Sequence, residues 1–168
     1  LNGGAPYTTG LPIGVSITGE NGTGTTINGY RVYDQASAVP AFSGTMPATV
    51  ELADSDGTRT VVVQVRDQAG NVGSKSATVV LDRVGPNITS FPLPAATSET
   101  GTMTFDVAAT DAYSGIAGFG VSGSGVSSDS STTWPTVAFD LDALADGSKQ
   151  VILTVTDNAG NSTSQTES

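Results

Sequence analysis

Carboxylates are the most numerous ionisable side chains of this sequence. Sixteen Asp and Glu stand against six Lys and Arg, with no His and no Cys, for a formal charge of −10. Lacking His, the chain has neither the usual general base nor the commonest transition-metal ligand. Lacking Cys, it has no disulfide framework and no thiolate metal site. A nucleophile would need Lys75 or Lys149 as its base, and neither stands in a recognisable motif. Asp140 and Asp142 could imitate a glycosidase dyad, but alternate positions on a strand more simply make a solvated face. No Gly-rich loop follows a strand and opens a helix, as a phosphate site requires. An internal isopeptide bond needs Lys, Asn and an acid buried together, whereas these lysines lie at a strand edge or beside a turn. The sequence therefore predicts no enzyme and requires no cofactor. Its carboxylates suit a hard cation bound through oxygen, above all Ca²⁺. The same charge argues against nucleic acid and anionic membranes as partners. A plainer reading of an acidic surface is that it keeps the protein dispersed.

The acids are positioned by a phrase that the chain states twice. Asp56 to Asn71 returns 90 residues later as Asp146 to Asn161, without a gap. Each copy is a turn, an alternating strand and a second turn. Val61, Val63 and Val65 share one face, as do Val151, Leu153 and Val155. Gln64 and Arg66 lie on the other face of the first copy, Thr154 and Thr156 on that of the second. Period two with β-branched residues predicts half-buried strands. Asp67-x-Ala69-Gly70-Asn71 and Asp157-x-Ala159-Gly160-Asn161 then reverse the chain, Gly taking positive φ and Asp and Asn bonding nearby backbone. Turn chemistry alone accounts for these acids without any ligand.

The rest of the chain follows the same duplication. Leu1 to Pro12 reads as loop. Ile13, Val15 and Ile17 form a strand, Tyr30 and Val32 begin another, Thr49 to Leu52 a third, and Ser76 to Leu81 closes the first half with Val79 and Leu81 inward. Phe105, Val107 and Ala109 echo Ile13, Val15 and Ile17 at an offset of 92, and Ile116, Phe119 and Val121 echo Ile27, Tyr30 and Val32 at 89. Strands thus keep register while the loop between them changes length. Gly123 to Thr133 reads as a Ser/Gly loop, Val137 to Leu141 as a strand, and Asp140 to Ala145 as a helical candidate too short to stand alone. Such halves match the roughly 100 residues of one immunoglobulin-type sandwich. The predicted fold is all-β, two tandem sandwiches at residues 1–84 and 85–168, joined by the short linker Asp82 to Pro86. The first half lacks an opening strand equivalent to Asn87–Phe91, and the second has a short final strand. Both ends therefore read as cuts in a longer run of similar modules, with export signals and anchors outside it.

These residues resemble a family. Val65 to Asn71 with Val79 to Pro86, and Val155 to Asn161 with Asp111 to Ile116, resemble tandem bacterial immunoglobulin-like domains of large surface proteins. The resemblance implies an immunoglobulin-like β-sandwich and an extracellular or cell-surface location, in adhesins, S-layer proteins or appendages of secreted enzymes. It implies neighbouring domains of the same chain as the first partners. It says little about function, because this sandwich hosts many roles.

In that topology the linker leaves the first domain near Asp54 and Asp56 and enters the second near the Asp111 loop and the Asp157 hairpin. Those acids, with Asp82 on the linker, are the candidate ligands of an interdomain Ca²⁺. No fixed-spacing calcium loop is present, so separate turn-forming acids remain the competing reading. Trp134, the single tryptophan, is a candidate stacking platform for a surface glycan, or simply a packed strand-edge residue. The function expected is structural: a spacer that extends and presents other domains. The alternatives are a ligand-binding module for carbohydrate or a host protein, and an accessory module of a secreted hydrolase.

Overall fold

The computed structural model describes residues 1–17, 26–93, 102–123, 126–129, 136–140 and 147–168. The chain divides into two compact units, Leu1–Arg83 and Val84–Ser168. Both are built from strands, as alternation and β-branching dictate.

Unit 1 contains β1 (Tyr7–Thr8), β2 (Ile13–Gly14), β3 (Ile27–Asp34), β4 (Thr49–Val50), β5 (Gly57–Asp67) and β6 (Val72–Leu81). One sheet runs β1-β6-β5-β3, with β1 parallel to β6 and the other pairs antiparallel; β2 and β4 pair separately. Ile13, Val15, Val50 and Leu52 meet Val32, Val61, Val79 and Leu81 in one buried cluster.

Unit 2 contains β7 (Asn87–Ser90), β8 (Thr102–Asp106), β9 (Ala108–Thr110), β10 (Ile116–Gly123), β11 (Val126–Asp129), β12 (Thr136–Asp140), β13 (Val151–Asp157) and β14 (Ser162–Glu167). Its main sheet runs β11-β10-β13-β14, and β12-β8 and β7-β9 form two further pairs. Its core gathers Phe91, Phe105, Val107, Phe119, Val121, Val137, Val151, Leu153 and Val155.

The units repeat each other in register. Val32 pairs with Val63 as Val121 pairs with Leu153. Each pairing carries a bulge at the same place, between Ile27 and Gly29 and between Ile116 and Gly118. The hairpin turns match bond for bond. Gly70 donates to the Asp67 carbonyl and Gly160 to that of Asp157, at 3.1 and 3.2 Å, with φ of 90° and 96°. At those φ values a Cβ would be strained, which explains the Gly in both copies.

Four expectations are corrected. Leu1 to Pro12 is not all loop, because Tyr7 and Thr8 pair with Val80 and Leu81; two residues are too few to show a period. The Ser/Gly stretch after Gly123 holds β11, which pairs with β10; backbone bonds hold a strand that composition conceals. The strand expected from Ile13 to Ile17 stops at Gly14. Val63 and Val65 are only half buried, whereas Leu153 and Val155 are fully buried. Of the short helical candidate, Asp140 ends β12 and the remainder lies outside the described residues.

Candidate functional site

The acids singled out in the sequence fall into different settings. Asp54 and Asp56 are engaged with a cation of their own unit. Arg83 Nη1 donates to Asp54 at 2.6 Å and Nε to Asp56 at 2.8 Å. These two hydrogen bonds raise the Arg83 pKa above its ordinary value, Asp54 first. The guanidinium thus supplies the counter-charge that an ion would otherwise bring.

Asp82 follows the last residue of β6 and is fully buried. Its N–H donates to the Thr8 carbonyl at 2.9 Å. That bond extends the β1–β6 ladder by one step and fixes the backbone from which the carboxylate projects.

In unit 2, Asp111 sits just after β9 and folds the turn that leads to β10. Its Oδ1 accepts N–H bonds from Tyr113, Ser114 and Gly115 at 3.1, 2.8 and 2.6 Å. Its Oδ2 is buried and has no hydrogen-bond partner among the described residues. Asp157 ends β13 and is only 2% exposed. Its Oδ1 accepts from the N–H groups of Ala159 and Asn161, both at 2.9 Å, and its Oδ2 from Asn161 Nδ2 at 2.8 Å.

The Asp111 turn and the Asp157 hairpin are tied together. Asn158 Nδ2 donates to the carbonyls of Ser114 and Gly115, the Asn158 N–H donates to Gly115, and Ala159 N–H donates to Ser114 Oγ. This lacing brings a carboxylate oxygen of Asp111 within 4.8 Å of one of Asp157. Two carboxylates so close repel unless a positive charge intervenes. Unit 2 has one basic residue, Lys149, just before the opposite end of β13. At about 3.3 Å per residue it stands roughly 25 Å from Asp157. Hard oxygen donors, a buried unused lone pair and no local base fit a divalent cation such as Ca²⁺.

Asp67 carries the same motif in unit 1. It accepts from Asn71 N–H and Nδ2 at 2.8 and 2.9 Å, and it is half buried. Trp134 and Asp142 lie outside the described residues.

Sequence reasoning missed Asp34 and Ser114. Asp34, 1% exposed at the end of β3, accepts from Ala36 N–H at 3.0 Å and Ala53 N–H at 2.9 Å, tying two loops together. No spacing advertises it. Its only signal is a lone acid closing an alternating run.

No family model matches the sequence. No curated protein matches it either. The fold, however, is similar to solved fibronectin(III)-like modules of Clostridium thermocellum CbhA. The likeness has a TM-score of 0.50 at 11% identity and covers 95% of this chain and 84% of that one. The fold is an immunoglobulin-like, fibronectin(III)-type β-sandwich. At that identity the likeness concerns architecture and assigns no activity. Among the described residues no helix is long and apolar enough to cross a membrane.

Proposed function

We propose that the chain is a non-catalytic segment of a bacterial cell-surface or secreted multidomain protein, of adhesin or S-layer type, that extends and presents other domains. Its partners on this reading are neighbouring modules of the same chain. Two units of one design, repeated in register, are what an extending array needs. We propose further that Ca²⁺ binds Asp111 and Asp157 of unit 2. One observation carries the ion: Asp111, whose buried Oδ2 has no partner among the described residues, has a carboxylate oxygen within 4.8 Å of one of Asp157 in a unit whose sole base is remote. Backbone carbonyls and water would complete the six to eight oxygens that calcium takes. Asp54 and Asp56 contribute to the Arg83 clamp rather than to the ion.

Calcium bound only to the folded state adds RT ln(1 + [L]/Kd) to stability. With the 10⁻⁴–10⁻³ M affinity of extracellular modules, about 5 mM calcium adds about 1–2 kcal/mol. Calorimetry with calcium, magnesium or chelator tests this on the native chain and on Asp111→Asn. Calcium should raise the melting of unit 2, and Asp111→Asn should abolish the rise. Unchanged melting would leave these acids as turn residues. A glycan array separates the roles, because a spacer gives no specific hit.

A further inference from the structure

The two units build the same sheet but give it different outer faces. In unit 1, Gly29, Arg31 and Tyr33 of β3 stand opposite Arg66, Gln64 and Val62 of β5. The matching pairs in unit 2 are Gly118 with Thr156, Gly120 with Thr154 and Ser122 with Ile152. Two arginines and a tyrosine therefore occupy places where unit 2 has threonine, glycine and serine. The sheet does not require them, because unit 2 pairs in the same register without them.

A phenylalanine gathers the two cations. Tyr30 and Ser43 exchange both backbone bonds at 2.8 Å, which fixes the loop beside β3. Phe42 then lies over Gly29, where a Cβ would meet the Phe42 Cβ and Cδ1 at 3.2 Å. The guanidinium carbons of Arg31 and Arg66 stand 4.2 and 4.6 Å from the centre of the Phe42 ring. Arg31 Nε donates to Gln64 Oε1 at 2.6 Å, and Nη1 to the Pro40 carbonyl at 3.3 Å. Phe42 and both arginines are partly exposed. Among the described residues neither arginine has a carboxylate partner. That is unexpected in a chain with sixteen acids against six bases. An aromatic ring holds a guanidinium in place without neutralising it. The planar fork and its unused N–H groups then suit a carboxylate.

Charge is divided unevenly along the chain. Unit 1 has five bases and seven acids, unit 2 one base and nine acids. We propose that the face made by Arg31, Phe42 and Arg66 of unit 1 docks carboxylates of unit 2 in a second copy of the chain. The two surfaces are unlike, so each copy both offers and receives. Copies of equal net charge repel at a distance, but physiological salt screens that repulsion beyond about 8 Å and weakens contact pairs less. The contact goes beyond the extending role, because it joins chains side by side, and it does not depend on calcium.

The test is sedimentation equilibrium of the full chain over a range of concentrations, always with chelator, beside the double variant Arg31→Gln/Arg66→Thr. Thr is what unit 2 carries at the place of Arg66, so the variant keeps a residue this sheet accepts. The native chain should self-associate, and less so as salt rises. The variant should associate about tenfold more weakly or not at all. A mixing experiment separates docking from misfolding, because the variant keeps unit 2 intact. Unlabelled native chain added to ¹⁵N-labelled variant should shift amides of unit 2 and leave those of β3 and β5 in place. Labelled native chain should shift in both units as its concentration rises. A native chain that stays monomeric would overturn the proposal, as would equal association of the variant or variant shifts confined to unit 1. Saturable binding of a capped Asp/Glu peptide at the Arg31 and Arg66 Nε–H groups of a monomeric chain would assign the face to another protein and overturn it equally.

Discussion

Leu153 and Val63 occupy the same place in the two copies of the repeated strand, and truncating each to Ala should have unequal effects. Leu153 is fully enclosed by the core of unit 2. Its loss removes three carbons and leaves a cavity, for a cost of about 2–5 kcal/mol. Val63 is half buried at the margin of the unit 1 core. Removing two carbons at about 0.8 kcal/mol each, halved for exposure, costs about 1 kcal/mol. In a unit of this size each kcal/mol moves the midpoint by about 4–8 °C. Leu153→Ala should therefore lower the unit 2 transition by roughly 10 °C or more, and Val63→Ala the unit 1 transition by about half that or less. Methyl resonances of Val151 and Val155 follow unit 2, and those of Val61 and Val79 follow unit 1. The reasoning is refuted if the two substitutions cost the same. It also fails if Leu153→Ala costs under about 0.5 kcal/mol, a surface value.

Two further outcomes follow from the polar contacts of unit 1. Asp34→Ala strands the Ala36 and Ala53 N–H groups beside β3, of which Ala53 is the less exposed. It should cost about 1–3 kcal/mol, read from urea melts of unit 1, and an unshifted midpoint would mean water replaces the carboxylate at no cost. Arg83→Ala breaks a clamp whose Asp54 arm is exposed but whose Asp56 side chain is only 11% exposed. The exposed arm contributes little, whereas Asp56 loses its cation, so the unit 1 midpoint should fall at low salt and by less at high salt; curves that overlay the native ones in both would show the clamp to be a surface contact only.

The strands were legible because alternation and turn glycines are local signals. Val61 and Val151, Gly70 and Gly160 needed only their immediate neighbours to be read, and the pairing reproduces their register. Depth of burial was not legible in the same way. Val63 and Leu153 alternate identically, yet the structure encloses only one of them, because enclosure depends on residues far away in sequence. Short strands such as β1 and β11 escaped because two to four residues held by backbone bonds leave no side-chain pattern. Asp34 escaped because a carboxylate that bonds N–H groups 2 and 19 residues away follows no fixed spacing.

The hairpin acids show how duplication can copy a turn without copying its environment. Asp67 and Asp157 make the same bonds to Asn71 and Asn161, since Gly at positive φ and a short polar side chain dictate that geometry wherever the phrase occurs. Asp157 is additionally laced to a second acidic turn, through Asn158 and Ser114. Position 68, where Asn158 would fall in the first copy, is Gln, and its N–H reaches the Thr26 carbonyl at 3.1 Å as that of Asn158 reaches Gly115. The backbone bond is therefore common to both units, while the side-chain bonds of Asn158 distinguish the second. Asn is one methylene shorter than Gln, so its amide folds back onto carbonyls of the adjacent turn at less entropic cost. What makes Asp157 a stronger candidate ligand than Asp67 thus lies outside the shared phrase, in the turn that Asp111 builds and in the one residue that fastens it.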